Sequence, residues 1–323
     1  MMEVNMSEMA ILLDDFVSSD GVNLPLPGSG ATWQRFATLA DWASIDLSLG
    51  RLCEGHADAL AILAEAGRVP VTGASYGVWA SRSGSATTFA ERVPGGWSLS
   101  GTKEFCSGSG IVDRALLTAV TGEGYLLFDI SVAEQVVAQL EGSWAAVGMA
   151  HSASHTLQFG GPVISNDHVV GGANFYLERA GFWFGACAVA SCWFGGAVGL
   201  LNGLVQWINA EPDDLQLASL GAIFADLEAM RFALKSAARD IDDDPQDLSG
   251  RSQVRALVAR QVIHDAALRV LQGTALVGGA RPLCHDAGQS RRSADLFTYL
   301  SQHRGNADAR EIGRMFTKVH SWN

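Results

Sequence analysis

Residues 95–120 read GGWSLSGTKEFCSGSGIVDRALLTAV. Two short β-type segments meet there at a turn of glycine and serine, with an aromatic and a thiol, Phe105 and Cys106, at its centre. Three readings compete: a surface hairpin, a redox cysteine, or a shelf for a cofactor. A redox thiol needs a partner cysteine or a cationic helix start, and neither is nearby. A phosphate cradle of the P-loop type needs a lysine and a following helix, and both are missing. What remains is a strand end that presents Phe105, Cys106 and Ser107.

Outward from this stretch the texture is consistent. Between about 71 and 172, short runs such as YGVWAS, TTFAERV, YLLFDI and SHTLQFGGPVI alternate apolar and polar residues between glycine turns. That pattern predicts an antiparallel β domain. On the N-terminal side, apolar residues recur at three and four (Phe36, Leu39, Ala40, Ala43; Leu60, Leu63, Ala64), which predicts helices. Long helical runs return after about 173. The expectation is three units: 1–70 helical, 71–172 β, and 173–323 a helical bundle. Strands and helices are segregated rather than alternating, which excludes a doubly wound fold.

Composition narrows the function. The formal net charge of −12 and the absence of a basic stripe argue against a nucleic-acid partner. With 48% apolar and 17% charged residues the chain suits a large core. Its five cysteines form no CxxC pair, and acidic residues stand where a signal peptide would be basic, so a cytoplasmic protein with reduced thiols is expected. Residues 180–208, AGFWFGACAVASCWFGGAVGLLNGLVQWI, carry no charge. They are long enough to span a bilayer. Their small residues, Asn202 and Gln206 favour a buried bundle helix instead, and no membrane partner is expected. His151 and His155 in MAHSASH have no third ligand nearby, so no metal site is expected.

The motif GVWAS…GGWSLSGTKEFCSGSGIVDRALLTAV resembles the middle domain of the acyl-CoA dehydrogenase family. WAAVGMAHSASHTLQFGGPVISNDHVVG resembles the strand leading into that family's last domain, LQGTALVGGARPL its Gly-Gly turn, and RRSADLFTYLSQHRGNADAREIG its C-terminal helix. The resemblance implies an α+β multidomain fold with an N-terminal helical segment, a central antiparallel β barrel and a C-terminal helical bundle. It implies FAD between barrel and bundle, completed by a second subunit in a homodimer or homotetramer. It places Ser107 near flavin N5, Phe105 and Cys106 on the wall beside the ring, and Ser81 near the pyrimidine edge. Gly278 and Gly279 fall where a neighbouring subunit's FAD diphosphate approaches; a plain helix C-cap is the competing reading.

The chain also departs from the family. Where a glutamate base is usual, eight residues after Asp295, stands His303, whose ordinary pKa suits acid–base work near neutrality. Relatives that hydroxylate aromatic substrates with reduced flavin carry a histidine in the same region. The loop Ser81–Ala86 is short and lacks the family's acid, and Asp213 and Asp214 occupy the place of the arginine that grips the diphosphate. The resemblance thus implies a flavin-dependent dehydrogenase acting on an acyl thioester or related small molecule, with FAD, His303 as base, and an electron-transfer flavoprotein or flavin reductase as partner. Two alternatives stand beside it: a monooxygenase using reduced flavin, and a non-catalytic relative that has lost the cofactor.

Overall fold

The structure, a computed structural model, describes residues 6–82, 87–208 and 211–317. Ser83–Ala86, part of the shortened loop, lie outside the described residues. Four helices open the chain: α1 (Met6–Ser18), the single turn α2 (Asp20–Asn23), α3 (Thr32–Ile45) and α4 (Leu47–Glu65). Asp46 starts α4 by accepting the Leu49 amide at 3.0 Å. A cap of this kind is worth about 1 kcal/mol.

Eight strands and one helical turn follow: β1 (Tyr76–Trp79), β2 (Thr88–Val93), β3 (Gly96–Cys106), β4 (Arg114–Thr121), β5 (Gly124–Ser131), the turn α5 (Val132–Gln135), β6 (Val136–Gln139), β7 (His155–Phe159) and β8 (Val169–Val170), with a long loop, 140–154, between β6 and β7. They form one sheet in the order β6-β7-β3-β2-β4-β5-β8, with β1 beside β4. The sheet is open, with β6 and β8 at its ends, rather than the closed antiparallel barrel expected from the resemblance. Two of its pairings, β1–β4 and β2–β4, are parallel. The eleven-residue β3 explains the shape. Its first part pairs with β2 up to Gly101, and its last part pairs with β7 across an irregularity between Lys103 and Cys106. Gly101 bends the strand with φ +90°, and a Cβ there would lie 2.2 Å from the Thr87 carbonyl oxygen, so only glycine fits.

The chain ends in helices: the turn α6 (Phe175–Glu178), α7 (Gly181–Leu204), α8 (Asp214–Asp243), α9 (Ser252–Gly278), the short α10 (Ala280–His285), α11 (Ala287–Leu300) and α12 (Gly305–Phe316). The uncharged helix is the centre of the bundle. By length and composition Gly181–Trp207 passes for a membrane span, yet 67% of its most apolar window is buried inside the protein. α7 packs on α3, α4, α9 and α11. Glycine makes this close: a Cβ on Gly195 would sit 2.2 Å from the Ala40 carbonyl oxygen, and one on Gly199 2.3 Å from that of Ser44. One hydrophobic core runs from Phe16 and Phe36 through Trp79 and Phe128 to Trp193, Met230 and Ile263.

Candidate functional site

The end of β3 is held in an unfavourable backbone conformation. Five non-glycine residues have left-handed φ among the described residues, and three of them, Phe105, Met149 and Ala153, meet here. Each costs about 1–2 kcal/mol relative to an ordinary conformation. Two interlocked turns hold them: the Gly108 amide donates to the Ser152 carbonyl at 2.8 Å, and the Ser109 amide to that of Ala153 at 3.2 Å. Asp295 on α11 accepts the Met149 amide at 2.5 Å, which ties the helical bundle to this loop. Trp144 Nε1 donates to the Met149 carbonyl, and Trp79 Nε1 to that of Ser107. Strain of this kind concentrates where geometry serves a ligand.

On this frame Phe105 stands outward, with 56% of its surface exposed, while Cys106 is fully buried. The Cys106 thiol donates to the Lys103 carbonyl at 3.3 Å. Burial pushes it up to about 12, so it is an apolar wall and not a thiolate. Ser81 turns its hydroxyl inward to the Glu104 carbonyl. Lys103, brought down to about 8 by burial, donates to Thr118 Oγ1 at 3.1 Å and to the Ser81 carbonyl at 3.4 Å. The structure therefore brings Ser81, Phe105, Cys106 and Ser107 together.

Ser107 belongs to a chain of three hydroxyls whose polarity is fixed. Ser152 Oγ donates to the Met149 carbonyl at 2.8 Å, which spends its only proton. The 2.9 Å bond between Ser152 and Ser154 is therefore donated by Ser154. The 2.8 Å bond between Ser107 and Ser154 is then donated by Ser107. Ser107, 8% exposed, is left with lone pairs on Oγ and no further proton to give: toward any other group it is an acceptor.

The other expected residues lie elsewhere. Gly279 (φ +60°) closes α9, its amide donating to the Ala275 carbonyl at 2.9 Å, so the helix C-cap reading describes it. Gly278 is a packing site, where a Cβ would meet Leu204 at 2.6 Å; around Gly279 there is nothing within 4 Å. Gly279 borders an apolar cleft of about 320 Å³ between Leu204, Leu271, Pro282 and Phe297. Asp213 caps α8 by accepting the Gln216 amide at 2.8 Å, which accounts for an acid at that position.

His303 sits in the bundle, its side chain closed to solvent. Its Nε2 pairs with Gln261 Oε1 at 3.0 Å, its ring lies 4.5 Å from that of His264, and its Nδ1 is 3.3 Å from an Asp308 oxygen. Burial first, then His264 and Arg260, lower its pKa from the ordinary value, against the opposing pull of Asp308 and Asp265. Next to it Trp193 stacks edge-on against Tyr299. Glu54 on α4 is buried beside Arg51 at 2.6 Å, and burial lifts it to about 7.

Sequence reasoning missed Ser152, Ser154, Trp79, Asp295, Gln261 and Glu54. In MAHSASH the serines, Ser152 and Ser154, are the residues that join Ser107 in a hydroxyl chain. Among the described residues no group of three or more His, Cys, Asp or Glu is placed to hold a metal ion.

No protein-family model matches the chain, and no curated protein is similar to it in sequence. Solved structures do match. The dibenzothiophene monooxygenase TdsC from Paenibacillus sp. A11-2, solved with FMN and indole, aligns with TM-score 0.78 at 20% identity, over 98% of this chain and 97% of that one. Methanesulfinate monooxygenase MsuC from Pseudomonas fluorescens aligns with TM-score 0.75 at 16% identity, over 95% of each chain. XiaF from Streptomyces sp., solved with FADH2 and glycerol, aligns with TM-score 0.71 at 17% identity, over 97% of this chain and 94% of that one. At these identities the likeness is one of fold, and the fold is acyl-CoA dehydrogenase-like.

Proposed function

We propose that this chain is a monooxygenase that uses reduced flavin delivered by a flavin reductase. The observation that carries the reading is the polarity of Ser107. An oxidised flavin presents N5 as an acceptor, and a reduced flavin presents an N5–H donor. An acceptor-only hydroxyl at the position implied for N5 suits the reduced form, whereas a dehydrogenase must receive the oxidised form. The second support is His303 where the dehydrogenases carry glutamate. The third is that TdsC and MsuC, which share the fold, are monooxygenases. TdsC was solved with FMN and XiaF with FADH2, so the isoalloxazine ring is the part this chain is proposed to hold, as FMN or as FAD.

The residues present fit such a ring. Phe105 supplies an exposed apolar face with the buried Cys106 behind it, Ser107 an acceptor, and Ser81 braces the strand end through the Glu104 carbonyl. Reduced flavin supplies the electrons that place one oxygen atom of dioxygen in a small organic substrate and the other in water. The chain's own tasks are to exclude bulk water, to hold the ring edge, and to take or return a proton at His303. A non-catalytic role is disfavoured because three left-handed residues are retained at one place at a cost of a few kcal/mol. We further propose a cytoplasmic homo-oligomer in which the Gly278–Gly279 end of α9 faces the phosphate arm of a second copy's flavin.

Anaerobic titration with reduced and oxidised FMN and FAD tests the reading. Reduced flavin should bind at least about tenfold more tightly, the worth of one hydrogen bond of about 1.4 kcal/mol. Equal binding of both forms, with bleaching of the oxidised complex by acyl thioesters, would instead establish the dehydrogenase.

A further inference from the structure

We propose that Asp265 is a positioning residue that dictates which nitrogen of His303 exchanges a proton. The inference rests on the reading of His303 as the proton carrier of the site. Its geometry is carried by one face of α9.

Asp265 uses both carboxylate oxygens. Oδ2 accepts from the Gln261 amide nitrogen at 2.9 Å, and Oδ1 lies 2.9 Å from His264 Nδ1. A carboxylate cannot donate, so the NH₂ of Gln261 must face Asp265 and its carbonyl oxygen must face His303. That oxygen lies 3.0 Å from His303 Nε2. An amide oxygen only accepts, so His303 carries its resident hydrogen on Nε2. The same logic makes His264 an Nδ1–H donor. The exchangeable position of His303 is then Nδ1, which has no hydrogen-bond partner among the described residues and stands 3.3 Å from Asp308 Oδ2. When Nδ1 takes a proton, Asp308 faces the new charge; when it gives the proton up, the lone pair is left without a donor and is poised to take another. A residue two side chains away thereby chooses the reactive atom.

The charged and titratable groups around His303 are Arg260 and His264 of α9, Asp265 behind Gln261, and Asp308 of α12. α7 contributes the Trp193 ring, 5.9 Å away. Arg260 and His264 oppose the charged form, and Asp308 and Asp265 favour it. The choice of nitrogen follows from the hydrogen-bond directions and not from this balance.

Nitrogen-15 histidine-labelled protein without flavin reads the tautomer directly in long-range proton–nitrogen spectra, with His303→Gln used to assign the resonance. In the unsubstituted protein His303 should be the Nε2–H form. Asp265→Asn allows an amide NH₂ to face Gln261, whose own amide then turns, and His303 should shift to the Nδ1–H form facing Asp308. Adding Gln261→Glu to Asp265→Asn restores an acceptor-only partner for Nε2 and should return the Nε2–H form. A merely structural role for Asp265 would not be rescued by moving the carboxylate along the helix. The Asp265 side chain is 47% exposed, which favours folded variants. If a melting curve shows Asp265→Asn to be unfolded, Gln261→Leu replaces it and should yield a mixture of tautomers. An Nδ1–H form in the unsubstituted protein, or an unchanged Nε2–H form in either folded variant, overturns the proposal. Because no flavin or substrate is added, these outcomes are independent of whether the oxygenase reading stands.

Discussion

Asp295 shows at single-residue scale how the bundle holds the strained loop. Burial raises its carboxyl to about 6, against an ordinary 3.8, despite the hydrogen bond from the Met149 amide; Asp46 adds to the rise. The folded state therefore holds a proton that the unfolded chain has already lost between those values, and stability falls as pH rises through that window. Asp295→Asn keeps an acceptor for Met149 and removes the buried charge. It should raise stability by up to about 3 kcal/mol at pH 8 and by little at pH 4, which urea denaturation at both values would check. Ser154 makes a second prediction. Ser154→Ala removes the acceptor of the Ser107 proton and frees Ser107 to donate outward, so the preference for reduced over oxidised flavin should shrink by about tenfold; a preference left intact would disprove the hydroxyl chain. The placement of Phe105, Cys106 and Ser107 at a strand end was legible because they lie within one strand and its turn. Ser154 was not, since its role depends on a hydrogen bond to a hydroxyl that only the folded loop brings within 2.8 Å.

Among the elements, α7 and β3 decide the architecture. On α7, Gly195→Ala would force a methyl against the Ala40 carbonyl and should cost about 1–3 kcal/mol. On α8, Gly221 has nothing within 4 Å, so Gly221→Ala should instead add up to about 1 kcal/mol. Denaturation midpoints of the two variants should move in opposite directions; a shared direction would mean that helix propensity, not packing, governs both sites. Helices and strands were readable from their three-to-four and two-residue periods. The open sheet was not. Gly101 looks in sequence like any turn glycine, but here it bends a continuing strand so that β3 serves β2 and then β7. The parallel partners of β4 are equally invisible to a period-two pattern, because alternation reports which face is buried and not which strand lies alongside.

At the scale of the molecule, the three groups of expected residues stand on different elements. The residues proposed to face the flavin end β3, Gly278 and Gly279 end α9, Gly279 bordering an apolar cleft, and His303 follows α11 with its side chain inside the bundle. If reduced flavin binds the wall, the whole fold gains by mass action, by about 2.7 kcal/mol at a hundredfold excess over Kd. In an anaerobic thermal scan at that concentration the melting temperature should rise with reduced flavin and by about half as much with the oxidised form, which a tenfold weaker Kd leaves with about 1.4 kcal/mol. The distribution of thiols offers a further use of the same architecture. Cys53, Cys106, Cys187 and Cys192 are buried, and Cys284 is exposed. Burial also raises the buried thiols, Cys106 and Cys187 to about 12 and the other two well above their ordinary value. A thiol-specific label should therefore react once with the native protein. The later rates at which Cys106 and Cys192 become labelled would act as separate clocks, one for breathing of the β3–β7 pairing inside the sheet and one for breathing of the helices around α7.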